Sequence, residues 1–292
     1  MTVNKLEPIR ATTMPLKGII QIIRPHVGLQ AATFAVLGAY LSGGLDQAFT
    51  LKVLVVAIVV SLSIAFAFVI NDIRDIEVDS INKPNHPIPS GKISRPAAVS
   101  LAIVLALLTV GMASVLGLWS AGLALGLVVL SALYSVFLKN TVLLGNCTVA
   151  LLTATILPYG ALAASGLNKY VWLASGLAFL YTCAQEILYT VRDKDADAQI
   201  GLRTIAVCWG AAKSLRLFHA FTFAYVFTAI LPALLHVTRS AYLYAVVALS
   251  VLPLLVNAVM VSIDTSAKGI DRACRLNKLI RVLSLFPMIL LR

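Results

Sequence analysis

"LKVLVVAIVVSLSIAFAFVINDIRDIEVD", residues 51–79, decides how the rest of this chain is read. Its first twenty residues carry one charge, Lys52; then Asp72, Asp75, Glu77 and Asp79 fall within eight positions. About 20 apolar residues in a helix match the roughly 30 Å hydrocarbon layer of a bilayer. The stretch reads as a spanning helix that ends in concentrated negative charge. A helix C-terminus already carries partial negative charge, so acids there are locally unfavourable and want a compensating partner.

The whole chain has the same character. It has 292 residues, is 60% hydrophobic and only 12% charged, with a mean hydropathy of +0.94. Soluble domains are about 25% charged. The sequence predicts an all-α integral membrane protein with nine spanning helices, near residues 27–43, 51–71, 97–117, 120–138, 143–165, 170–189, 215–236, 241–263 and 277–291. These form a single polytopic domain over residues 1–292. Pro15 interrupts the N-terminal stretch, and no compact apolar core with a small-residue cleavage site precedes the first span.

The net charge of +11 argues for topology rather than for nucleic acid. With a cytoplasmic N-terminus, 19 of the 23 Lys and Arg fall on the cytoplasmic side, leaving only Lys52, Lys169, Arg239 and Arg292 opposite. That is the positive-inside pattern. Cys147, Cys183, Cys208 and Cys274 are scattered without CxxC spacing, and read as small apolar fillers.

A second acidic cluster stands in "QEILYTVRDKDADAQIG", which holds Glu186, Asp193, Asp195 and Asp197. A shift of 118 residues lays Arg74 on Arg192, Asp75 on Asp193, Glu77 on Asp195 and Asp79 on Asp197. Four helices intervene, so both clusters return to the same membrane face, as in an ancestral duplication. At about 100° per residue, Asp72, Asp75 and Asp79 share one helical face, and Glu186, Asp193 and Asp197 share another, with Asp195 opposite. An EF-hand is excluded, because Ala198 and Thr204 stand where that loop needs Gly and a bidentate Glu.

Two carboxylate faces across a cavity suit Mg²⁺, a hard ion that bridges carboxylates to substrate phosphates. Such a metal neutralises a diphosphate and helps it leave as pyrophosphate. An allylic diphosphate would leave a carbocation, which apolar helices shield from water. A transporter with buried acids is the contrasting class, but inverted repeats with midplane sites would be expected there.

At these residues the chain resembles the UbiA-type intramembrane prenyltransferases. "NDIRDIEVD" fits their NDxxDxxxD motif and "DKDAD" their DxxxD motif, with "RP" at 24–25, "NKPNHPIPSG" at 82–91, "YSVFLK" at 134–139 and "GN" at 145–146 also matching. The resemblance implies a bundle around a central cavity, capped by cytoplasmic loops after helices 2 and 6. It implies a first Mg²⁺–diphosphate site at Asn71, Asp72, Asp75 and Asp79, and a second at Asp193 and Asp197. Glu186 stands where many relatives carry an acid. Arg24, Lys92, Lys139 and Arg192 would contact the diphosphate, and Tyr134 the substrate or cation.

The implied reaction is transfer of a prenyl group from an allylic polyprenyl diphosphate to a lipophilic or aromatic acceptor, within the lipid bilayer. A membrane terpene cyclase on the same scaffold, needing no acceptor, is the alternative. Two positions depart from the family pattern. His86 replaces the usual Arg of the "RPxPSG" segment, and Val27 takes a first-helix position that is often polar. Phe66, Phe68, Phe179 and Tyr181 are candidates to line a prenyl tunnel.

Overall fold

The computed structural model describes residues 16–292, apart from the side chains of residues 81 and 82. The expectation around Pro15 lies outside the described residues. Helices dominate, with no strand among the described residues. The first half comprises α1 (Leu16–Ile23), α2 (Pro25–Gly43), α3 (Leu45–Ala48), α4 (Leu51–Arg74), α5 (Ile76–Asn82), α6 (Arg95–Ser114) and α7 (Leu118–Val136). A 3₁₀ turn, Leu138–Asn140, leads into the second half. There follow α8 (Leu144–Ala163), α9 (Lys169–Arg192), α10 (Lys194–Gln199), α11 (Ile205–Trp209) and α12 (Ala211–Leu234). The chain then closes with α13 (Ser240–Val246), α14 (Leu252–Ile263), α15 (Ala267–Leu283) and α16 (Leu285–Ile289).

Seven of these helices are long and apolar enough to cross a membrane, counting Ser240–Ile263 as one. They match seven of the nine expected spans. The remaining two expectations fall on helices of another character. α2 is helical as expected but less apolar. The ninth segment is not one helix over 277–291: α15 starts at Ala267 and the chain breaks at Ser284 before α16. α15 is amphipathic, burying Ile270, Ala273, Cys274, Asn277 and Ile280 at helical spacing while Arg272 and Arg275 stay out. Leu54, Ile103, Leu107, Phe223 and Phe227 point outward, which in lipid carries no hydrophobic penalty.

The two halves pack through α2 and α8, whose backbones touch. A Cβ on Gly38 would lie 2.0 Å from the Leu157 carbonyl oxygen, and one on Gly160 would lie 1.9 Å from that of Ala35. The contact is reciprocal, each glycine meeting the residue three before the other. Small residues let membrane helices approach this closely, where van der Waals packing must replace the hydrophobic effect.

One proline inside the bundle frees a carbonyl that a neighbouring helix serves. Pro158 in α8 lacks the N–H that would bond the Ala154 carbonyl, and Ser175 Oγ of α9 donates to that oxygen instead, at 2.8 Å. Between α13 and α14 the backbone is π-wound over Val247–Val251, two residues before Pro253, whose ring denies the ladder a donor.

Candidate active site

Both acidic motifs lie where a long helix stops and a short one begins. α4 ends at Asp75 (φ −91°, ψ 8°) and α9 at Asp193 (φ −93°, ψ 3°), the pair related by the 118-residue shift. The bonding also repeats. Asp75 N–H donates to Asn71 O and Asp79 N–H to Asp75 O; Asp193 N–H donates to Tyr189 O and Asp197 N–H to Asp193 O. The duplication read from four aligned residues therefore extends to backbone conformation.

These breaks correct the expectation of a continuous acidic face. Asp72 and Asp79 are buried, 4% and 3% exposed, and lie with His86. Asp75 turns away to Asn71 and Lys139. Asn71 Nδ2 donates to Asp75 Oδ2 at 2.8 Å, Lys139 Nζ donates to Asn71 Oδ1 at 3.3 Å, and Lys139 is also ion-paired to Asp75. Glu77 and Asp195, matched in the repeat, are both exposed and outside the site.

Lys139 joins the two motifs. It also lines a cavity of about 200 Å³ with Tyr134, Asn146, Glu186, Arg192, Asp193 and Asp197. Asn140 helps hold this wall, its Oδ1 accepting the Arg203 N–H at 2.7 Å from the segment between α10 and α11. Arg192 grips Asp193 with both ends of its fork at 2.7 Å, over the Tyr189 ring. Burial pushes the Asp197 carboxyl above its usual range, opposed by nearby Thr204 and then by Lys139 and Arg192.

On the other side Arg24 Nη2 donates to Asp72 Oδ1 at 2.7 Å, its guanidinium 4.2 Å from the Phe68 ring centre. Arg24 sits in the left-handed region (φ 49°), a costly conformation for a residue with a Cβ and one that turns α1 into α2. Asp79 meets Lys83 Nζ at 3.2 Å and His86 Nδ1 at 3.2 Å. Each of these acids thus has a cationic or imidazole neighbour, which relieves the crowding of charge at the helix ends.

Lys92 is not brought to the acids: its Nζ bonds Gln21 Oε1 at 3.1 Å and Asn85 O at 3.4 Å. Val27 is half-buried in the first turn of α2. Phe66 is core, and Tyr181 borders an apolar crevice of about 40 Å³ with Phe34, Leu37 and Leu177. Sequence reading overlooked Arg281, which borders this crevice and bonds Gln30 at 3.3 Å. A buried face on an amphipathic α15 was the signal for it. Cys183 and Cys274 are buried fillers as expected, but Cys208 is exposed.

A helical bundle with a cavity lined by acids and cations, where two repeated motifs meet, defines a membrane-embedded class built for charged headgroups on apolar molecules. The UbiA prenyltransferase family model matches residues 31–279. Digeranylgeranylglyceryl phosphate synthase of Pyrococcus horikoshii is 34% identical over 221 residues, covering 75% of this chain and 78% of that protein. A solved structure of a digeranylgeranylglyceryl phosphate synthase in membranes superposes with a TM-score of 0.77 at 25% identity, covering 94% of this chain and 97% of that one. A UbiA homologue from Archaeoglobus fulgidus, solved bound to GPP and Mg²⁺, superposes at 0.71 with 16% identity, covering 93% and 99%. The chain belongs to the UbiA prenyltransferase family; it is a prenyltransferase and a multi-pass membrane protein.

Proposed function

We propose that this chain, as a single domain of nine spans with its motif-bearing helix ends in the cytoplasm, transfers a prenyl group from an allylic polyprenyl diphosphate to the hydroxyl of a lipid acceptor. The observation that carries this is Lys139: it bonds Asn71 and Asp75 of the first motif while standing on the cavity wall with Asp193 and Asp197 of the second. A diphosphate at that seam meets both motifs at once. The relatives named digeranylgeranylglyceryl phosphate synthase favour a glyceryl phosphate lipid over an aromatic acceptor.

Asp72 and Asp79 would hold one divalent ion, to which Asn71 and Asp75 could add donors by turning from Lys139, and Asp193 and Asp197 would hold another. The orphaned, buried Oδ2 of Asp72 fits this donor set. When bound, Mg²⁺ supplies positive charge to the diphosphate oxygens. Arg24, Lys139 and Arg192 neutralise the carboxylates in the structure described above, and can each turn a donor to the diphosphate. Lys92, held by Gln21 and Asn85, would act from the rim. Cleavage of the allylic C–O bond leaves its electron pair on pyrophosphate. Tyr134 stands beside Glu186 on the same wall, where its ring can face the cation. The acceptor oxygen bonds the allylic carbon and releases its proton, for which Glu186 is the available carboxylate.

The test is turnover in nanodiscs with a C20 allylic diphosphate, Mg²⁺ or EDTA, and either a prenylglyceryl phosphate or a hydroxybenzoate acceptor. Metal-dependent pyrophosphate release with an ether-linked product from the glyceryl phosphate alone is expected. Cyclic products formed without acceptor would overturn the transfer, and products from hydroxybenzoate only would overturn the acceptor. Lys139→Met is expected to lower kcat/KM by about 10–100-fold, the loss of one charge-assisted contact to a diphosphate, with most of it in KM. Unchanged KM in steady-state assays would remove Lys139 from diphosphate binding.

A further inference from the structure

One ligand atom from each of Asp72, Asp79 and His86 lies within 4.8 Å of the other two. Asp72 Oδ2 and His86 Nδ1 are both buried without a hydrogen-bond partner, although Asp72 as a whole is only 4% exposed. His86 Nδ1 is 3.2 Å from Asp79 Oδ2, but the ring is not turned to donate to it. With Nδ1 as the unprotonated ring nitrogen, it and Asp72 Oδ2 are unpartnered acceptors beside a second carboxylate, and a cation placed among them would satisfy all three.

The turn holds the imidazole in place. His86 N–H donates to Lys83 O at 2.9 Å, and His86 O accepts from Ser90 N–H at 3.0 Å and Ser90 Oγ–H at 2.6 Å. Pro87 and Pro89 restrict the backbone beyond it, while buried Ile88 and Ile93 anchor the loop. A ligand whose own backbone is fixed on both sides loses little freedom on binding a metal. Asp79 reaches the same point from α5 and Asp72 from the last turn of α4.

We propose that His86 is a nitrogen ligand to the divalent ion of the first motif, and that it shifts this site's preference from Mg²⁺ towards Mn²⁺ and Co²⁺. This rests on the reading of Asp72 and Asp79 as metal ligands. The chemistry is that of donor softness: carboxylates alone suit Mg²⁺, whereas an imidazole raises affinity for the borderline transition ions. An Arg at position 86 repels a cation and serves the diphosphate; a His with a free Nδ1 serves the metal. The departure from the family pattern thereby becomes a change of ligand set rather than a lost contact.

Mn²⁺ binding to the full chain in nanodiscs, without substrate, tests this by pulsed EPR, in which a coordinated imidazole nitrogen modulates the electron spin echo. Wild-type protein is expected to show the nitrogen coupling. His86→Gln and His86→Arg should lose it, and His219→Gln should keep it. His86→Gln should also weaken Co²⁺ by about tenfold or more while changing Mg²⁺ by less than about threefold, as expected for loss of one nitrogen donor. Mn²⁺ bound without nitrogen coupling, or coupling that survives in His86→Gln, would overturn the His86 role and leave the carboxylate site standing. No saturable Mn²⁺ binding, or binding indifferent to Asp72→Asn with Asp79→Asn, would overturn the first-motif metal site and this inference together.

Discussion

Asp75→Ala and Asp193→Ala are each expected to reduce metal-dependent pyrophosphate release by about 10²–10³-fold or more, the scale of removing a group that stabilises developing charge. The two acids stand at equivalent helix breaks, paired with Lys139 and Arg192. On the proposed reading, loss of either carboxylate would remove a metal ligand and leave Lys139 or Arg192 without its counter-charge. The fold should survive, because neither side chain belongs to a buried apolar cluster. Asp193 is the safer probe, its side chain being 46% exposed. Release should be followed in nanodiscs alongside a thermal melt. A folded Asp193→Ala protein within about threefold of wild type would remove the second motif from catalysis.

Gly160→Leu and Gly38→Val should have the largest effects on stability. Each new Cβ would overlap a carbonyl oxygen of the opposing helix, at 1.9 and 2.0 Å, and a backbone atom cannot swing aside as a side-chain tip can. α2 and α8 must move apart, at a cost of about 1–3 kcal/mol or more. Separation would also disturb the site, since α2 follows directly from Arg24 and α8 carries Asn146. Gly126→Ala in α7 is the control: its Cβ would meet nothing within 4 Å, and helix propensity favours the change by about 1 kcal/mol. Melting in detergent should place both substitutions well below wild type and Gly126→Ala at or above it. An unchanged melt for Gly160→Leu would exclude the close crossing.

Much of the fold is legible in the chain because a bilayer demands long apolar runs, which hydropathy measures directly. That measure failed at α15. Its mean polarity is high, yet Ile270, Ala273, Cys274, Asn277 and Ile280 form a buried face that brings Arg281 to the interior crevice. α2 is likewise a spanning candidate through its position in the bundle more than through its hydropathy.

The sequence by itself determined where the acids lie, that they repeat after 118 residues, and that cations surround them. It could not determine their partners. A helical wheel assumes an unbroken helix, and both helices break inside the motif, at Asp75 and Asp193, so that Asp75 leaves Asp72 and Asp79 and joins Lys139. Lys139, on the turn between α7 and α8, reaches the first motif and the second motif's cavity together because α4 packs against both of those helices. Within the first half, the turn that follows α5 sets Lys92 against Gln21 of α1 and His86 against Asp79. Composition and spacing act along the chain and are written in it; side-chain partnership depends on which distant segments the bundle brings within about 3 Å of one another, the reach of a hydrogen bond.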